Sequence, residues 1–198
     1  MTRTQDAWAQ RPPTAIRPAC AADRPALRAF FAGLSTTTRY RRFFAAITPS
    51  AGMLAVLAGG GSQVDCVVAV RRRVIVGHAM AADQLSPEGA PIADIGVVVA
   101  DDWQGHGLGS ALVRALIHRA QARGVTALAM DVLPSNHQVL AMITAHWPQA
   151  RARRSDDGIA IGVALAGRPQ PARRAGRALA GAHAVGVPAG SGTAARLG

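Results

Sequence analysis

The sequence predicts an α/β (α+β) domain, and three observations carry this. Short β-branched runs suited to strands alternate along the chain with stretches whose apolar residues recur every three or four positions, as on one face of a helix. Residues 92–120, IADIGVVVADDWQGHGLGSALVRALIHRA, join one of each through a glycine-rich turn. The 198 residues, 49% of them hydrophobic, suffice for one core plus a tail, although much of that apolar content is Ala.

Residues 1–13 are polar, end in Pro12-Pro13 and read as a loose leader; 14–167 form the domain. Thr14–Arg17 is a short strand that Pro18 stops or ends. Asp23 caps a helix with Pro25 in its first turn, which buries Leu27, Phe30 and Phe31 and ends at Gly33. Ser35 caps a second helix, from Thr36 to about Phe44. Residues 58–62 are a flexible break. Val64–Val70 and Val74–Ala82 are strands joined at Arg71-Arg72-Arg73, a solvated turn. Ser86-Pro87-Glu88-Gly89 is another turn, and Ile92–Val99 the next strand. Leu108, Ala111, Leu112, Ala115, Leu116 and Ala120 make one buried stripe of a long helix that Gly124 stops. Thr126–Val132 is a strand, and Asn136 opens a helix to about Ala145. Residues 149–154 and Ile159–Leu165 are closing strands around Asp156-Asp157-Gly158. From Arg168 to Gly198 the chain is Ala, Gly, Pro and Arg with no acid, too poor in branched apolar residues to offset the entropy of ordering; it reads as a disordered tail.

The net charge is +11, every one of the 22 basic residues is Arg, and Glu88 is the one Glu. Such a bias fits a GC-rich genome, and the excess charge still favours anionic ligands. Nucleic acid is expected only as an unspecific contact of the Arg-rich tail. Cys20 and Cys66 lack paired spacing and read as reduced, buried thiols. The six His form no metal cluster, so no metal is expected. There is no apolar leader and no run of about eighteen apolar residues, which excludes a secretory signal and a membrane span and leads us to expect a cytoplasmic protein.

The turn at Gln104-Gly105-His106-Gly107-Leu108-Gly109 carries the chemistry. Glycines let the main chain bend and let a phosphate approach the amides. The first helical turn leaves N–H groups free at the positive end of the dipole. A pyrophosphate site follows. A nucleoside-triphosphate loop needs a Lys after its last glycine, but Ser110 and Ala111 follow Gly109 and the chain has no Lys. The dinucleotide fingerprint fits poorly too, because the glycines fall at 105, 107 and 109 and lie deep in the chain.

Gln-x-x-Gly-x-Gly after a Val-rich strand, here Gln104, Gly107 and Gly109, resembles the acetyl-CoA motif of the GNAT superfamily of N-acetyltransferases. Leu34-Ser35 with Arg39-Tyr40-Arg41-Arg42-Phe43-Phe44 is similar to the LSxxSRYxRFF segment of bacterial protein lysine acetyltransferases. So are Ala93-Asp94 with Val99–Gly105, and Val132-Leu133 with Asn136 and Leu140, to other segments of theirs. The resemblance spans roughly residues 14–165. It implies a mixed, mostly antiparallel sheet of six to seven strands with about four helices and a splayed central strand pair. It implies transfer of an acetyl group from acetyl-CoA to a primary amine, on a small molecule or a protein lysine, directly within a ternary complex. Pairing of two copies through a sheet edge is common in the family and stays open here.

The same resemblance assigns residues. The amides of Gln104, Gly105, His106, Gly107, Leu108, Gly109 and Ser110 bind the CoA pyrophosphate. Val97, Val98 and Val99 pair with the pantetheine arm, and Asn136 contacts that arm or a loop carbonyl, or simply caps its helix. His106 stands where Arg is common, and an imidazole is a weaker anion contact near neutral pH. Asp94 occupies the slot of a Glu and is the candidate base. A Lys amine, with a pKa of about 10.4, must lose a proton before it attacks a thioester; Asp is a methylene shorter than Glu, so an ordered water bridges the gap. The amide of Val97 or Val98 serves the oxyanion. Met142 stands where a Tyr often protonates the departing thiolate, leaving water or Ser135 for that step. Tyr40, the one tyrosine, reads as a packing residue. His146-Trp147-Pro148 replaces the usual Gly-Phe, with Trp147 taking over the packing. These departures keep open a non-catalytic acyl-CoA-binding regulatory domain.

Overall fold

The structure, a computed structural model, describes residues 14–154 and 158–165. The leader 1–13 and the tail 168–198 lie outside the described residues. Seven strands form one sheet in the order β1-β2-β3-β4-β5-β7-β6: β1 Ala15–Pro18, β2 Val64–Arg71, β3 Val74–Leu85, β4 Pro91–Val99, β5 Ala127–Val132, β6 Arg151–Arg154 and β7 Ile159–Ala164. Every pairing is antiparallel except β4 with β5.

Five α-helices cover the sheet: α1 Arg24–Ala32, α2 Thr36–Phe43, α3 Ala51–Leu57, α4 Leu108–Ala122 and α5 His137–His146. The sequence reading contained four. It passed over α3, whose signals are a Ser50 hydroxyl that accepts from the Met53 amide and the inward residues Leu54 and Leu57. On one side of the sheet, Leu112, Leu116 and Ala120 of α4 pack with Val67, Ala69, Ala79, Val99 and Leu128, with α5 alongside. On the other side, Leu27, Phe30 and Phe31 of α1 and Leu54 and Leu57 of α3 pack with Val68, Ile75 and Val98. Burying each such Leu or Phe stabilises the fold by about 1.5–3 kcal/mol. Trp147 packs against the α4 side of the core, as the sequence reading has it.

Pro18 is the last residue of β1 rather than its stop, an edge-strand place where the missing N–H costs little. Between β2 and β3, Arg72 and Arg73 both have positive φ, 45° and 67°, in a two-residue hairpin loop whose hand suits the strand twist. The α4 helix is tied to the sheet by ion pairs: Arg119 binds Asp65, and Arg123 binds both Asp65 and Asp83. Cys66 is buried, but Cys20 is exposed, against expectation, because it precedes α1 at the sheet edge. Tyr40 is also exposed, at 48%, not packed. The inward residues of α2 are Thr38 and Arg42, one turn apart, and Tyr40 falls on the opposite face.

The site is positioned by the β4–β5 contact. These strands pair at Ile92↔Ala127, Ala93↔Leu128 and Asp94↔Ala129, and no further. Beyond Asp94 they diverge, while β4 stays paired with β3 through Val99.

Candidate active site

Antiparallel alternation decides which main-chain groups of β4 are open. The amide of Ala100 donates to Val76 on β3, and the carbonyl of Pro91 accepts from Thr126 at the start of β5. Even-numbered residues of β4 therefore turn their main-chain groups to β3, and odd-numbered ones toward β5. Past the divergence, Ile95, Val97 and Val99 face the gap. The Val99 carbonyl accepts from the Gln104 side chain at 3.0 Å, and the Ile95 amide serves the Asp94 carboxylate. That leaves the main-chain groups of Val97, with the Ile95 carbonyl and the Val99 amide on either side. Val98 is a correction to the sequence reading: its amide points to β3 and its side chain is buried against α1, so it cannot pair with a ligand in the gap.

At the C-terminal end of β4 the chain makes a short 3-10 turn, Asp101–Trp103, and enters the glycine loop. Gly105 and Gly107 adopt φ of 75° and 78°, the left-handed region that a side chain would strain. Gly107 is the N-cap of α4, and a Cβ there would meet nothing within 4 Å. The amides of Gly105, Leu108, Gly109 and Ser110 donate to no main-chain group among the described residues. They follow directly on the C-terminal end of β4, the strand that carries Val97. Gln104 is a second correction: its amide donates to Asp101 O at 3.2 Å, and its side chain to Val99 O and Thr38 Oγ1. It braces the loop from inside, and the open amides begin at Gly105.

That brace has a partner the sequence reading missed. Asp101 accepts from the Ser35 amide at 3.0 Å, from Ser35 Oγ at 2.7 Å and from Thr38 Oγ1 at 2.7 Å. Burial raises the Asp101 pKa, but these hydrogen bonds outweigh it and hold the carboxyl below its ordinary range. The start of α2 is thus bolted to the turn after β4, and Trp103 lies under the Arg71 guanidinium at 4.9 Å. On α5, Asn136 occupies the N-cap position, its carbonyl accepting from Val139 and Leu140, with no cap bond from its side chain. Asn136 thus caps the helix with its carbonyl alone, and its side-chain amide makes no cap bond. The Met142 Sδ accepts from Ser110 Oγ at 3.4 Å.

The opposite face of β4 carries Asp94, Gly96 and Val98. Asp94 stands where the β5 ladder ends and is exposed. Desolvation by neighbouring groups raises its pKa, the charge of Asp131 raises it further, and Arg42 partly opposes both. Asp131 is two residues beyond Ala129, the β5 partner of Asp94, so both carboxylates project from one face across the divergence. Arg42, from α2, lays its guanidinium on Gly96: a Cβ there would sit 2.5 Å from Arg42 Cζ. A polar residue inside the apolar run Ala127–Val132 was the signal for Asp131; nothing in the Arg-rich segment singled out Arg42. Two other groups are unsuited to proton transfer with a ligand. His78 is fully buried, donates to Leu57 O at 2.8 Å, and burial pushes its pKa down to about 4. Burial pushes the Cys66 thiol up to about 11.

A family model described as acetyltransferase (GNAT) family matches residues 27–146. The chain belongs to that family. Its fold is shared by solved GNAT structures. The GNAT domain of a Streptomyces lividans protein named PAT superposes with a TM-score of 0.69 at 22% identity, over 77% of this chain and 90% of that one. A putative acetyltransferase from Salmonella typhimurium, solved with its cofactor acetyl-CoA, gives 0.64 at 15% identity, over 82% and 100%. The ribosomal-protein-S18-alanine N-acetyltransferase of Escherichia coli gives 0.57 at 20% identity, over 80% and 99%. No curated protein sequence matches the chain. GNAT membership accounts for the splayed pair and the glycine loop together. No helix among the described residues is long and apolar enough to cross a membrane.

Proposed function

We propose that this GNAT protein transfers an acetyl group from acetyl-CoA to a primary amine. The observation that carries this reading is a succession: β4 leaves the β5 ladder after Asp94 with the main chain of Val97 open, and its C-terminal end runs into the open amides of Gly105, Leu108, Gly109 and Ser110. A ligand with an amide-bearing arm and a diphosphate fits both at once, the arm completing the β4 ladder and the diphosphate taking the positive end of α4. Gly105, His106, Gly107, Leu108, Gly109 and Ser110 hold the diphosphate, Val97 and Asn136 the arm. The Salmonella neighbour's bound acetyl-CoA supports the choice of donor.

In the transfer, the amine nitrogen attacks the thioester carbonyl carbon, the C–N bond forms and the C–S bond breaks. Asp94, directly or through water, takes the proton the ammonium must lose, and its raised pKa brings it nearer the pH at which a base works best. The Val97 N–H faces the developing oxyanion, and water or Ser135 returns a proton to the sulfur. Calorimetry with acetyl-CoA and a thiol-release assay over an amine panel test this. Asp94→Ala is expected to lower kcat by about 10²–10⁴-fold while acetyl-CoA affinity stays within about twofold. Absence of heat with acetyl-CoA or CoA would end the proposal. Heat without thiol release from any amine would favour the non-catalytic acyl-CoA-binding reading.

A further inference from the structure

Arg42 differs from the arginines that tie the sheet together. Arg17, Arg119 and Arg123 each hold a carboxylate at hydrogen-bond distance. Arg42 holds none, and its Nε, like that of Arg39, is buried without a hydrogen-bond partner. Its contacts are the Phe43 ring, 5.1 Å away, and the bare backbone at Gly96. Burial penalises its charge, and the nearby Asp94 carboxylate offsets this only through space. A buried donor left unmade costs about 1–3 kcal/mol, so such a group in a native site calls for a ligand. The guanidinium fork suits a planar carboxylate, which it can grip with two parallel bonds.

The surroundings specify the rest. Asp94 and Asp131 line the same face of the splay, so this side presents two anions beside one unpartnered cation. A plain amine would satisfy the carboxylates and leave Arg42 repelling it. We propose that the acceptor is an amine that also bears a carboxylate, as a free amino acid does: Asp94 and Asp131 receive its ammonium group and Arg42 binds its carboxylate. This rests on the acetyltransferase reading above and narrows it to a class of acceptor. Gly96 is then a specificity position, because any side chain there would drive the guanidinium off the strand.

Paired acceptors test the assignment: each free amino acid against its decarboxylated amine, for instance phenylalanine against 2-phenylethylamine. The best amino acid is expected to exceed its amine in kcat/KM, and R42Q to reduce that ratio by about 10–100-fold, mainly through KM. The ratio of ratios cancels the different basicities of the two amines. G96A keeps Arg42 but displaces it, and is expected to shift the ratio the same way; thermal melts establish that both variants are folded. Equal losses for both members of each pair, confined to kcat, would overturn the proposal, as would a parent protein indifferent to the carboxylate. If acetyl-CoA binds but no acceptor releases thiol, the transfer reading has failed, and saturation-transfer NMR of the same pairs on the CoA complex still decides. Amino-acid binding lost in R42Q upholds the carboxylate site; no binding by either member sinks it.

Discussion

The two ends of β4 build their sites by different means. At its C-terminal end the groups proposed to meet the ligand are main-chain amides, aimed by two left-handed glycines and by the start of α4. At the point of divergence from β5 they are side chains, brought from α2, β4 and β5. The first site is contiguous in sequence and tolerates most side chains, since only backbone conformation matters. The second is assembled from positions 42, 94 and 131, and each side chain is irreplaceable in charge. A loop of amides can receive one constant group in every relative, whereas a set of side chains can vary with the acceptor.

Gly107→Val breaks the main-chain site most completely. It forces a β-branched residue to φ 78° and points its methyl groups into the open space before the amides. The strain costs about 1–3 kcal/mol of stability, and acetyl-CoA affinity is expected to fall by about 100-fold or more, some 2.7 kcal/mol of binding. Calorimetry reads the affinity and a thermal melt the stability. Full affinity in this variant would mean the ligand lies elsewhere.

The side-chain site is sharpened by titration. As the proposed base, Asp94 must be ionised to accept a proton, so its raised pKa is expected to set the acid limb of kcat/KM. Desolvation by neighbouring groups is the largest cause; Asp131→Asn removes the second raising cause, so the limb is expected to move to lower pH. R42Q removes a lowering cause and is expected to move it to higher pH. Opposite movements in the two variants would tie all three groups to one site; a limb that ignores both would separate Asp94 from the reaction.

What the sequence disclosed follows the same division. Asp94 and the run Gly105–Ser110 are local patterns: an acid in a strand register and glycines before a helix, each legible within a dozen residues. The mixed, mostly antiparallel sheet of six to seven strands was legible through family resemblance, and the strands fell within a few residues of their places. Asp131 and Arg42 join the site only through the parallel β4–β5 register and the way α2 lies on Gly96, both non-local. Val98 came with its neighbours from the resemblance, which carries over a whole strand end and not the hydrogen-bond alternation that turns the Val98 amide to β3. Gln104 was misassigned because a motif residue need not touch the ligand. Its bonds to Val99 and Thr38 show it bracing the loop.

That brace predicts a smaller effect that couples the two ends. Asp101→Ala deletes the acceptor of three hydrogen bonds from Ser35 and Thr38. Loss of about 1–3 kcal/mol of stability is expected, with α2, and with it Arg42, less firmly held. The sign with pH is fixed by the lowered pKa of Asp101: its contribution is complete above the unfolded carboxylate pKa of about 3.9 and is lost as pH falls through the lower folded value. Denaturant melts of both proteins at neutral and acid pH are therefore expected to converge as the pH drops. A gap that stays constant would assign the loss to packing instead of charge.

The smallest effect separates the glycines from one another. Gly109 lies in the first turn of α4 without positive φ, and a Cβ there would touch Val99 Cγ2 at 3.8 Å, an ordinary contact. Nothing in the backbone demands glycine. Gly109→Ala is therefore expected to leave the melting midpoint unchanged or raise stability by up to about 1 kcal/mol, since Ala loses less backbone entropy in a helix. Any loss it causes must come from the ligand, whose diphosphate would meet the new methyl group. Calorimetry then gives a clean reading. Acetyl-CoA affinity weakened by less than about tenfold, or 1.4 kcal/mol, would show the diphosphate held mainly at the Gly105–Leu108 amides. A loss as large as that of Gly107→Val would move its centre onto the Gly109–Ser110 amides, one step further into the helix.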